Sequence, residues 1–258
     1  MTTIVFAANR SRMRIHALWC HPRSMSTAVE RIMRERGDLE VFHEPFMYDY
    51  YIGGERKKFA GFEPEAGHPT TYEGIRELVR AKSAWHPVFI KDMAYYVVEK
   101  LPDDPDFAHQ VFHAFLVRDP VQSILSYVKR QKDFSLEEVG LEAQWRLYQK
   151  LRKLGCKTHI LLAEDIRQDP VAAMNAYWKA GRLPDRPNAM SWDASVPRDW
   201  RSVETWHSEV IETRSITPPD ETRNYAAELY DLGAPYTGFY AYHRPFFDKL
   251  VEAARHQK

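Results

Sequence analysis

The sequence predicts an α/β fold in which helices cover both faces of a parallel sheet. Over the first two thirds of the 258 residues, short apolar runs alternate with segments whose apolar residues recur at helical spacing. This alternation is typical of parallel sheets, because two parallel strands need a long crossover connection, which is usually a helix. After about residue 180 the chain changes character, since three prolines fall within residues 181–199. We therefore expect one domain over residues 1–258, with a core at about 14–180 and an irregular and helical C-terminal elaboration at 181–258.

The individual elements follow from apolar spacing and from capping residues. The predicted strands are residues 15–20, 40–43, 88–90, 113–117 and 158–163. The predicted helices are residues 26–35, 72–82, 136–154, 220–232 and 240–256, and two more that open at Asp119-Pro120 and Asp169-Pro170. Asp119 suits an N-cap, Pro120 suits the first helical position, and Gln122 has the spacing of a capping-box partner. Thr27 and Glu30 have the same spacing near the start of the first helix.

The composition limits the classes of partner. Lysine and arginine total 36 residues, as do aspartate and glutamate, so no overall field favours nucleic acid or an anionic membrane. The two cysteines, Cys20 and Cys156, form neither a C-x-x-C motif nor a disulfide framework. The apolar run at residues 4–8 is too short for a signal-peptide core, and no stretch approaches the ~18 apolar residues of a transmembrane helix. We expect a cytoplasmic protein that acts on a small molecule; the sequence does not specify its oligomeric state.

The segment "HPRSMST", residues 21–27, has the features of an oxyanion-binding loop. It connects the first predicted strand to the first predicted helix, and ligands of parallel α/β sheets bind beyond the carboxyl ends of the strands. Backbone N–H groups at the helix start attract anions, Ser24, Ser26 and Thr27 add hydroxyl donors, and Arg23 adds a permanent cation. The alternative is purely structural, because serine and threonine are common N-cap residues. The position directly after the first strand favours a binding function.

The composition of this loop argues against ATP as its ligand. The pattern G-x-x-x-x-G-K-[ST] is missing, since the loop has no glycine and no lysine before Ser26 or Thr27. Phosphoryl transfer uses that lysine together with magnesium to neutralise the highly charged γ-phosphate. A sulfuryl group carries less charge, so hydrogen-bond donors and one cation would suffice without a metal. Phosphosulfate is therefore a candidate ligand.

A second strand-to-helix junction lies in "FLVRDPVQSILSYVKR", residues 115–130. Arg118 stands at the end of a predicted strand, and Ser126 follows eight residues later, about two turns into the next helix. These two side chains are placed to bind a second phosphate.

Together, the two segments resemble the sulfotransferases that use 3′-phosphoadenosine 5′-phosphosulfate (PAPS), and in particular the bacterial-type branch with the P-R-S-x-S-T form of the first loop. A third segment, "LLAEDIRQDP" at residues 161–170, resembles the later strand, acidic loop and D-P helix start of that family. The resemblance covers roughly residues 14–180. It implies a P-loop-type three-layer sandwich. It also implies a transferase that moves a sulfuryl group from PAPS to a hydroxyl or amine of a small-molecule acceptor, with adenosine 3′,5′-bisphosphate as the product.

The resemblance also implies roles for individual residues. The first loop is implied to cradle the 5′-phosphosulfate, and the arginine and serine of the second segment to bind the 3′-phosphate. The implied donor-binding residues are Arg23, Ser24, Met25, Ser26, Thr27, Ala28, Arg118 and Ser126. Two features depart from the family pattern. Many cytosolic members have lysine where Arg23 stands, and their glycine-rich C-terminal nucleotide motif is absent, for which Trp206-His207 with Arg214-Ser215 is a possible substitute.

The segment "VFHEPF", residues 41–46, contains the candidate catalytic base. Sulfuryl transfer needs an acceptor in line, a base for its proton and cations on the departing phosphate, of which Arg23 is the first expected. Glu44 and His43 stand where the second predicted strand ends, on the same edge as the anion loop. Related sulfotransferases use either a carboxylate soon after the first helix or a histidine from a different strand. We expect Glu44 to be the base, with His43 as the second candidate; alternatively, Glu44 only caps the strand end or pairs with an arginine.

In "VFIKDMAYY", residues 88–96, Lys91 and Asp92 fall at the carboxyl end of the third predicted strand. The resemblance implies a lysine near the sulfuryl group, so Lys91 is expected in the catalytic site. Asp92 is an alternative base, an orienting partner of Lys91, or the N-cap of a following helix.

Two further expectations concern the site, and two alternative functions stay open. Residues 46–62, rich in tyrosine and phenylalanine, are a candidate acceptor pocket or a lid hinged near Gly53-Gly54. The eleven histidines show no H-E-x-x-H or comparable spacing, so we expect no catalytic or structural metal. Two other functions stay open at this stage: a non-catalytic nucleotide-binding regulatory module on the same fold, and a phosphotransferase with an unusual loop.

Overall fold

A five-stranded sheet forms the centre of the computed structural model, which describes residues 14–56, 62 and 64–257. The strands are β1 (Ile15–Cys20), β2 (Glu40–His43), β3 (Val88–Met93), β4 (Val111–Val117) and β5 (Thr158–Leu162). They lie in the order β2-β3-β1-β4-β5, and every pair of neighbours is parallel. The predicted α/β fold with a parallel sheet is confirmed.

Helices cover both faces of this sheet. The α-helices of the described residues are α1 (Ser26–Glu35), α2 (Tyr72–Ser83), α3 (Ala94–Val97), α4 (Pro105–Ala108), α5 (Pro120–Val128), α6 (Leu141–Lys153), α7 (Ala163–Gln168), α8 (Pro170–Ala180), α9 (Glu204–Glu212), α10 (Tyr225–Leu232) and α11 (Tyr236–Arg255). Phe112 of β4 packs against Tyr177 of α8, whereas Phe115 packs against Tyr148 of α6. Because side chains alternate along a strand, these two rings point to opposite faces. The fold therefore has three layers: helices, sheet and helices.

The strand order places a topological switch point between β1 and β4. The chain leaves β1 through α1 towards β2 on one side, and it leaves β4 through α5 and α6 towards β5 on the other. The loops that follow these two strands diverge, and this divergence leaves a crevice at the carboxyl edge of the sheet. Both predicted anion-binding segments, residues 21–27 and 118–126, begin at this crevice.

The prediction of one helix over residues 136–154 is wrong. A short 3₁₀ segment, Glu137–Val139, is separated from α6 by Gly140, which has a φ of 83°. A Cβ at Gly140 would lie 2.9 Å from the Cβ of His21. The chain approaches the anion loop so closely here that it needs glycine, and the left-handed residue interrupts the helical pattern.

Other boundaries differ from the sequence prediction by a few residues. The helix predicted at 220–232 begins at Tyr225, because the Asn224 side chain caps it by accepting a hydrogen bond from the Ala227 amide (3.0 Å). The last helix begins at Tyr236, four residues before its predicted start. Residues 181–199 are irregular, as expected, apart from the 3₁₀ segment Pro187–Met190 and the start of Arg198–Val203.

The capping predictions are confirmed in part. Asp119 and Asp169 cap α5 and α8 through their carboxylates, which accept hydrogen bonds from backbone amides of the first turns. The prediction that Gln122 is the capping-box partner of Asp119 is wrong. Its side-chain oxygen accepts a hydrogen bond from Arg118 instead (3.1 Å).

Thr27 and Glu30 do not form the capping box that their spacing suggested for the first helix. The helix begins at Ser26, and its N-cap is Met25 in a left-handed conformation with no side-chain hydrogen bond. Thr27 lies inside the first turn, so its hydroxyl and the Glu30 carboxylate are used elsewhere.

The third strand is longer than predicted and includes both Lys91 and Asp92. The role of Asp92 as an N-cap is therefore wrong: the N-cap of α3 is Met93, without a side-chain hydrogen bond. The Asp92 carboxylate accepts hydrogen bonds from the amides of Phe46 (2.7 Å) and Met93 (3.0 Å).

Some predictions fall on residues that the structure does not describe. The apolar run at residues 4–8 lies outside the described residues, as do residues 57–61 of the candidate lid. Before this gap, Phe46 and Tyr48 are buried in the core, and Asp49–Gly53 forms a π-helical turn. No helix within residues 14–56 and 64–257 is long and apolar enough to cross a membrane.

Candidate active site

A cleft of about 500 Å³ lies at the carboxyl edge of the sheet. Most of the residues that the sequence singled out line it. These residues are Arg23, Met25, Ser26, Thr27, Ala28, His43, Glu44, Lys91 and Arg118. Ser24, Ser126 and Asp92 are not part of the lining.

Left-handed backbone turns shape the anion loop. Arg23 has a φ of 61° and Met25 a φ of 72°, although neither is glycine. Each such residue typically stores about 1–3 kcal/mol of strain, which persists where the surrounding structure imposes it. The first intrahelical bond of α1 runs from the Ala28 amide to the Met25 carbonyl (3.0 Å). The amides of Ser26 and Thr27 therefore precede the helical hydrogen bonds, which is the position from which helix N-termini can bind anions.

Ser24 belongs to the anion loop and is fully buried. Its amide donates to the His21 carbonyl (3.3 Å), but its hydroxyl oxygen has no hydrogen-bond partner among the described residues. Buried polar groups normally have a hydrogen-bond partner in the protein or in ordered water, so the Ser24 hydroxyl is a donor of this loop that the described residues leave unused.

The two predicted anion-binding segments meet at Arg23. Its Nε donates to Ser126 Oγ (2.9 Å), and its carbonyl accepts a hydrogen bond from Arg118 Nη1 (2.9 Å). A third contact joins Arg23 Nη1 to the carbonyl of Trp206 (3.0 Å), which lies on α9. The sequence placed Arg118 and Ser126 together, and the structure adds that Arg23 connects them.

Positive charge is crowded at this end of the cleft. Burial and the neighbouring cations Arg167 and Arg23 together lower the pKa of Arg118 to about 10, although Glu164 opposes this effect. Arg167 also lines the cleft. Arg167 belongs to the segment "LLAEDIRQDP", and its local pattern did not indicate a place in the cleft. A bound anion would relieve the repulsion between these guanidinium groups.

Glu44 is held on the opposite side of the cleft. Its φ of 45° is unusual for a residue other than glycine. The Glu44 amide donates to the Lys91 carbonyl (2.8 Å), and the Lys91 ammonium is hydrogen-bonded to the Glu44 carboxylate. These two contacts with β3 fix both the backbone and the side chain of Glu44, which keeps a small exposed fraction of 8%.

Lys91 lies between two carboxylates. Its Nζ is also 3.7 Å from Oε2 of Glu30, and the lysine is fully buried. Burial opposes the charged form, but the carboxylates of Glu44 and Glu30 outweigh burial and raise the pKa of Lys91 above its ordinary value. The side chain therefore carries a positive charge at neutral pH.

Glu30 begins a buried network that the sequence did not reveal. It accepts hydrogen bonds from the Trp200 indole (2.7 Å) and from Arg34, and its Oε2 lies 2.7 Å from Nδ1 of His43. Nε2 of His43 lies 3.2 Å from Nε2 of His207. The Glu30 spacing suggested a cap, and only the packing of α1 against α9 and the preceding loop shows its actual role.

Asp92 has the environment of a structural residue. Both of its oxygens accept backbone hydrogen bonds, and it is fully buried. Burial and the nearby Glu44 raise its pKa well above the ordinary value.

Tyrosines form the apolar part of the cleft. Among the described residues of the predicted aromatic segment, Tyr51 lines it, and Tyr95, Tyr96 and Tyr127 join it from α3 and α5. Their proximity could not be read from the sequence, although Tyr127 directly follows the predicted Ser126.

Three of the four residues suggested as a substitute for the C-terminal nucleotide motif lie at the cleft. Trp206, His207 and Ser215 line the cleft. Arg214 is exposed, and its carbonyl accepts a hydrogen bond from the Trp192 amide (3.0 Å).

A known protein family matches most of this chain. The model of the family described as sulfotransferase domain matches residues 13–223. The chain belongs to the sulfotransferase domain family. The family resemblance predicted from the two loop segments is confirmed.

Solved sulfotransferase domains share its fold. The domain from the curacin biosynthetic pathway aligns with a TM-score of 0.51 at 13% identity and covers 95% of this chain and 98% of that one. The domain from the Synechococcus PCC 7002 olefin synthase gives a TM-score of 0.51 at 12% identity, with 95% of each chain covered. The predicted P-loop-type sandwich is therefore the architecture of this sulfotransferase-family chain.

A longer curated relative matches by sequence. Branched-chain-amino-acid aminotransferase-like protein 2 of Arabidopsis thaliana is 23% identical over 235 residues, which cover 84% of this chain. The chain spans about 39% of the length of the curated relatives it matches. Within the described part of the sulfotransferase-family chain, no group of three or more His, Cys, Asp or Glu side chains is placed to hold a metal ion.

Proposed function

We propose that this sulfotransferase-family chain transfers a sulfuryl group from PAPS to a hydroxyl or amine of a small-molecule acceptor. The observation that carries the proposal is the junction of the two anion-binding segments at Arg23, which contacts Ser126 and Arg118 at 2.9 Å each. One cleft thus offers two adjoining places for anionic groups. Such a pair suits a ligand that carries a phosphosulfate at one end and a phosphate at the other.

The residues present fit this donor. The Ser24 hydroxyl and Arg118 Nε are buried polar atoms without a partner among the described residues. Arg23, Arg118 and Arg167 supply permanent cations, which bind phosphate and sulfate oxygens through several parallel hydrogen bonds. The loop from Arg23 to Ala28 would hold the phosphosulfate, and Arg118 and Ser126 the 3′-phosphate. Bound PAPS supplies the activated sulfuryl group, whose transfer leaves adenosine 3′,5′-bisphosphate.

Glu44 is the proposed general base. Its carboxylate lines the cleft, whereas the two ring nitrogens of His43 contact Glu30 and His207, and Asp92 lies outside the lining. Glu44 takes the proton of the acceptor hydroxyl or amine. Lys91 orients the Glu44 carboxylate and places a positive charge beside the reacting groups.

Calorimetry with adenosine 3′,5′-bisphosphate tests the donor site. We expect binding to the wild type, and a loss of about tenfold or more for Arg118→Ala and for Ser126→Ala, because each removes a hydrogen bond to a charged group. Arg152→Ala, which changes an exposed arginine of α6, is the matched control and should bind normally. A wild type that fails to bind the bisphosphate would overturn the proposal.

Transfer of radiolabelled sulfuryl from PAPS to pooled small-molecule acceptors tests the reaction. Glu44→Gln should lower kcat by about 10²- to 10⁴-fold, the usual contribution of a general base. Bisphosphate binding without transfer to any acceptor would instead support a non-catalytic nucleotide-binding module.

A further inference from the structure

A buried chain of hydrogen-bonding groups connects Glu30 to the anion loop. Oε2 of Glu30 lies 2.7 Å from Nδ1 of His43, and the Nε2 atoms of His43 and His207 are 3.2 Å apart. Nδ1 of His207 lies 3.1 Å from the Thr27 hydroxyl oxygen. Thr27 belongs to the donor loop of the proposed function, so the inference drawn from this chain rests on that function.

The charge of Glu30 fixes the first hydrogen bond of the chain. Burial opposes ionisation, but His43 and Arg34 outweigh burial and hold the pKa of Glu30 well below its ordinary value. An ionised carboxylate only accepts hydrogen bonds, so Nδ1 of His43 carries a proton.

The contact between the two histidines then allows two arrangements. When His43 is neutral, its bare Nε2 accepts a hydrogen bond from Nε2–H of His207. Nδ1 of His207 is then bare and accepts a hydrogen bond from Thr27, whose hydroxyl presents only lone pairs to the cleft.

When His43 is doubly protonated, every hydrogen bond between it and the loop reverses. Nε2–H of His43 donates to His207, the His207 proton lies on Nδ1, and this proton is donated to the Thr27 oxygen. The Thr27 hydrogen is then free to point into the cleft, where it can donate to an anion.

Charged and titratable groups from several elements face the two rings. They are Arg23 of the anion loop, Glu30 of α1, Glu44 after β2, and Lys91 of β3. Burial, His43 and Lys91 lower the pKa of His207 well below its ordinary value. His207 therefore stays neutral and can change only its tautomer.

We propose that His207 is a positioning residue that transmits the protonation state of His43 to the Thr27 hydroxyl, so that donor binding selects the form in which Thr27 donates into the cleft. Binding then takes up one proton from solvent. The proton arrives at the Thr27 oxygen from the cleft, Thr27 passes its own proton to Nδ1 of His207, and His207 passes its Nε2 proton to Nε2 of His43. Only N–H and O–H bonds form and break.

Nitrogen NMR of the free 258-residue chain, labelled with ¹⁵N at histidine, tests the transmission without any donor. As the pH falls and His43 gains its second proton, the His207 proton should move from Nε2 to Nδ1 with the same midpoint. In Thr27→Val the threonine hydroxyl is lost but the shape is kept, and the coupled change should weaken. A His207 tautomer that stays the same while His43 titrates would overturn the proposal.

Calorimetry with adenosine 3′,5′-bisphosphate in buffers of different ionisation enthalpy tests the link to the donor. At about pH 8 the ligand phosphates are already ionised, since their second pKa is about 6, so proton uptake reports on the protein. We expect a measurable proton uptake in the wild type and in Thr27→Ser, and a clear reduction in Thr27→Val and His207→Phe. His109→Phe, which replaces an exposed histidine, is the matched control and should keep the full uptake.

The outcomes separate this inference from the proposed function. Unchanged proton uptake in His207→Phe would mean that the anion acts on His43 through space, and this result would overturn the role of His207 while donor binding stands. A wild type that shows the tautomer change but does not bind the bisphosphate would support the transmission from His43 through His207, and it would overturn the proposed function.

Discussion

Replacing Lys91 with methionine removes a buried cation that lies between two buried carboxylates. The lysine Nζ is hydrogen-bonded to Glu44 and lies 3.7 Å from Oε2 of Glu30. Methionine is flexible and similar in length, so it fills most of the space that the lysine occupied. The expected effect of Lys91→Met is therefore mainly electrostatic.

The magnitude follows from the contacts that remain. Removing one partner of a buried ion pair typically costs about 3–5 kcal/mol, because the other charge stays desolvated. Glu30 keeps Arg34 and the Trp200 indole, so the loss falls mainly on Glu44, which is 8% exposed and close to water. We expect the free energy of unfolding to fall by about 3 kcal/mol, the lower end of that range. Adding Glu44→Gln removes the uncompensated charge and should recover about half of this loss.

Urea denaturation of the wild type, both single variants and the double variant measures these values. Lys82→Met is the control: this exposed lysine pairs with Glu40 at 2.8 Å, and its loss should cost less than about 1 kcal/mol. If Lys91→Met cost no more than Lys82→Met, or if the effects of Lys91→Met and Glu44→Gln simply added, the two side chains would not form a desolvated pair.

Three further predictions follow from buried polar groups. Ser24→Ala should leave the free energy of unfolding within about 0.5 kcal/mol, since the hydroxyl has no partner among the described residues, yet weaken bisphosphate binding about tenfold or more in calorimetry; normal affinity would contradict its role. Asp92→Asn should keep kcat within about tenfold of the wild type, whereas Glu44→Gln should lose at least about 100-fold; the reverse order would make Asp92 the base. Burial lowers the pKa of His113 from 6.5 to about 4 in the folded protein. Below pH 6.5 the unfolded state therefore binds more protons than the folded state, and the free energy of unfolding decreases as the pH is lowered. The loss should approach about 3 kcal/mol near pH 4 in denaturation experiments, and His113→Gln should be less sensitive to acid than the wild type; equal sensitivity would refute this account.

The sequence determined the sheet, its parallel character and the position of the two predicted anion-binding segments at strand ends. These features depend on local rules: apolar runs form strands, helical spacing forms the crossovers, and Asp119 caps its helix without help from distant residues. The position of Arg118 at a strand end and of Ser126 two turns later is likewise local. Such patterns can be read along the chain, because the interacting groups are only a few residues apart.

The tertiary structure decided how those pieces act together. Glu30 has the local spacing of a cap, but α1 turns its carboxylate inward, where it meets His43, Arg34 and Trp200. The contact of His207 with Thr27 joins residues 180 positions apart. The prediction of a single helix over residues 136–154 failed for the same reason, since the close approach of distant His21 makes Gly140 necessary. Local periodicity carries no information about which distant side chains meet, because packing in three dimensions sets those contacts.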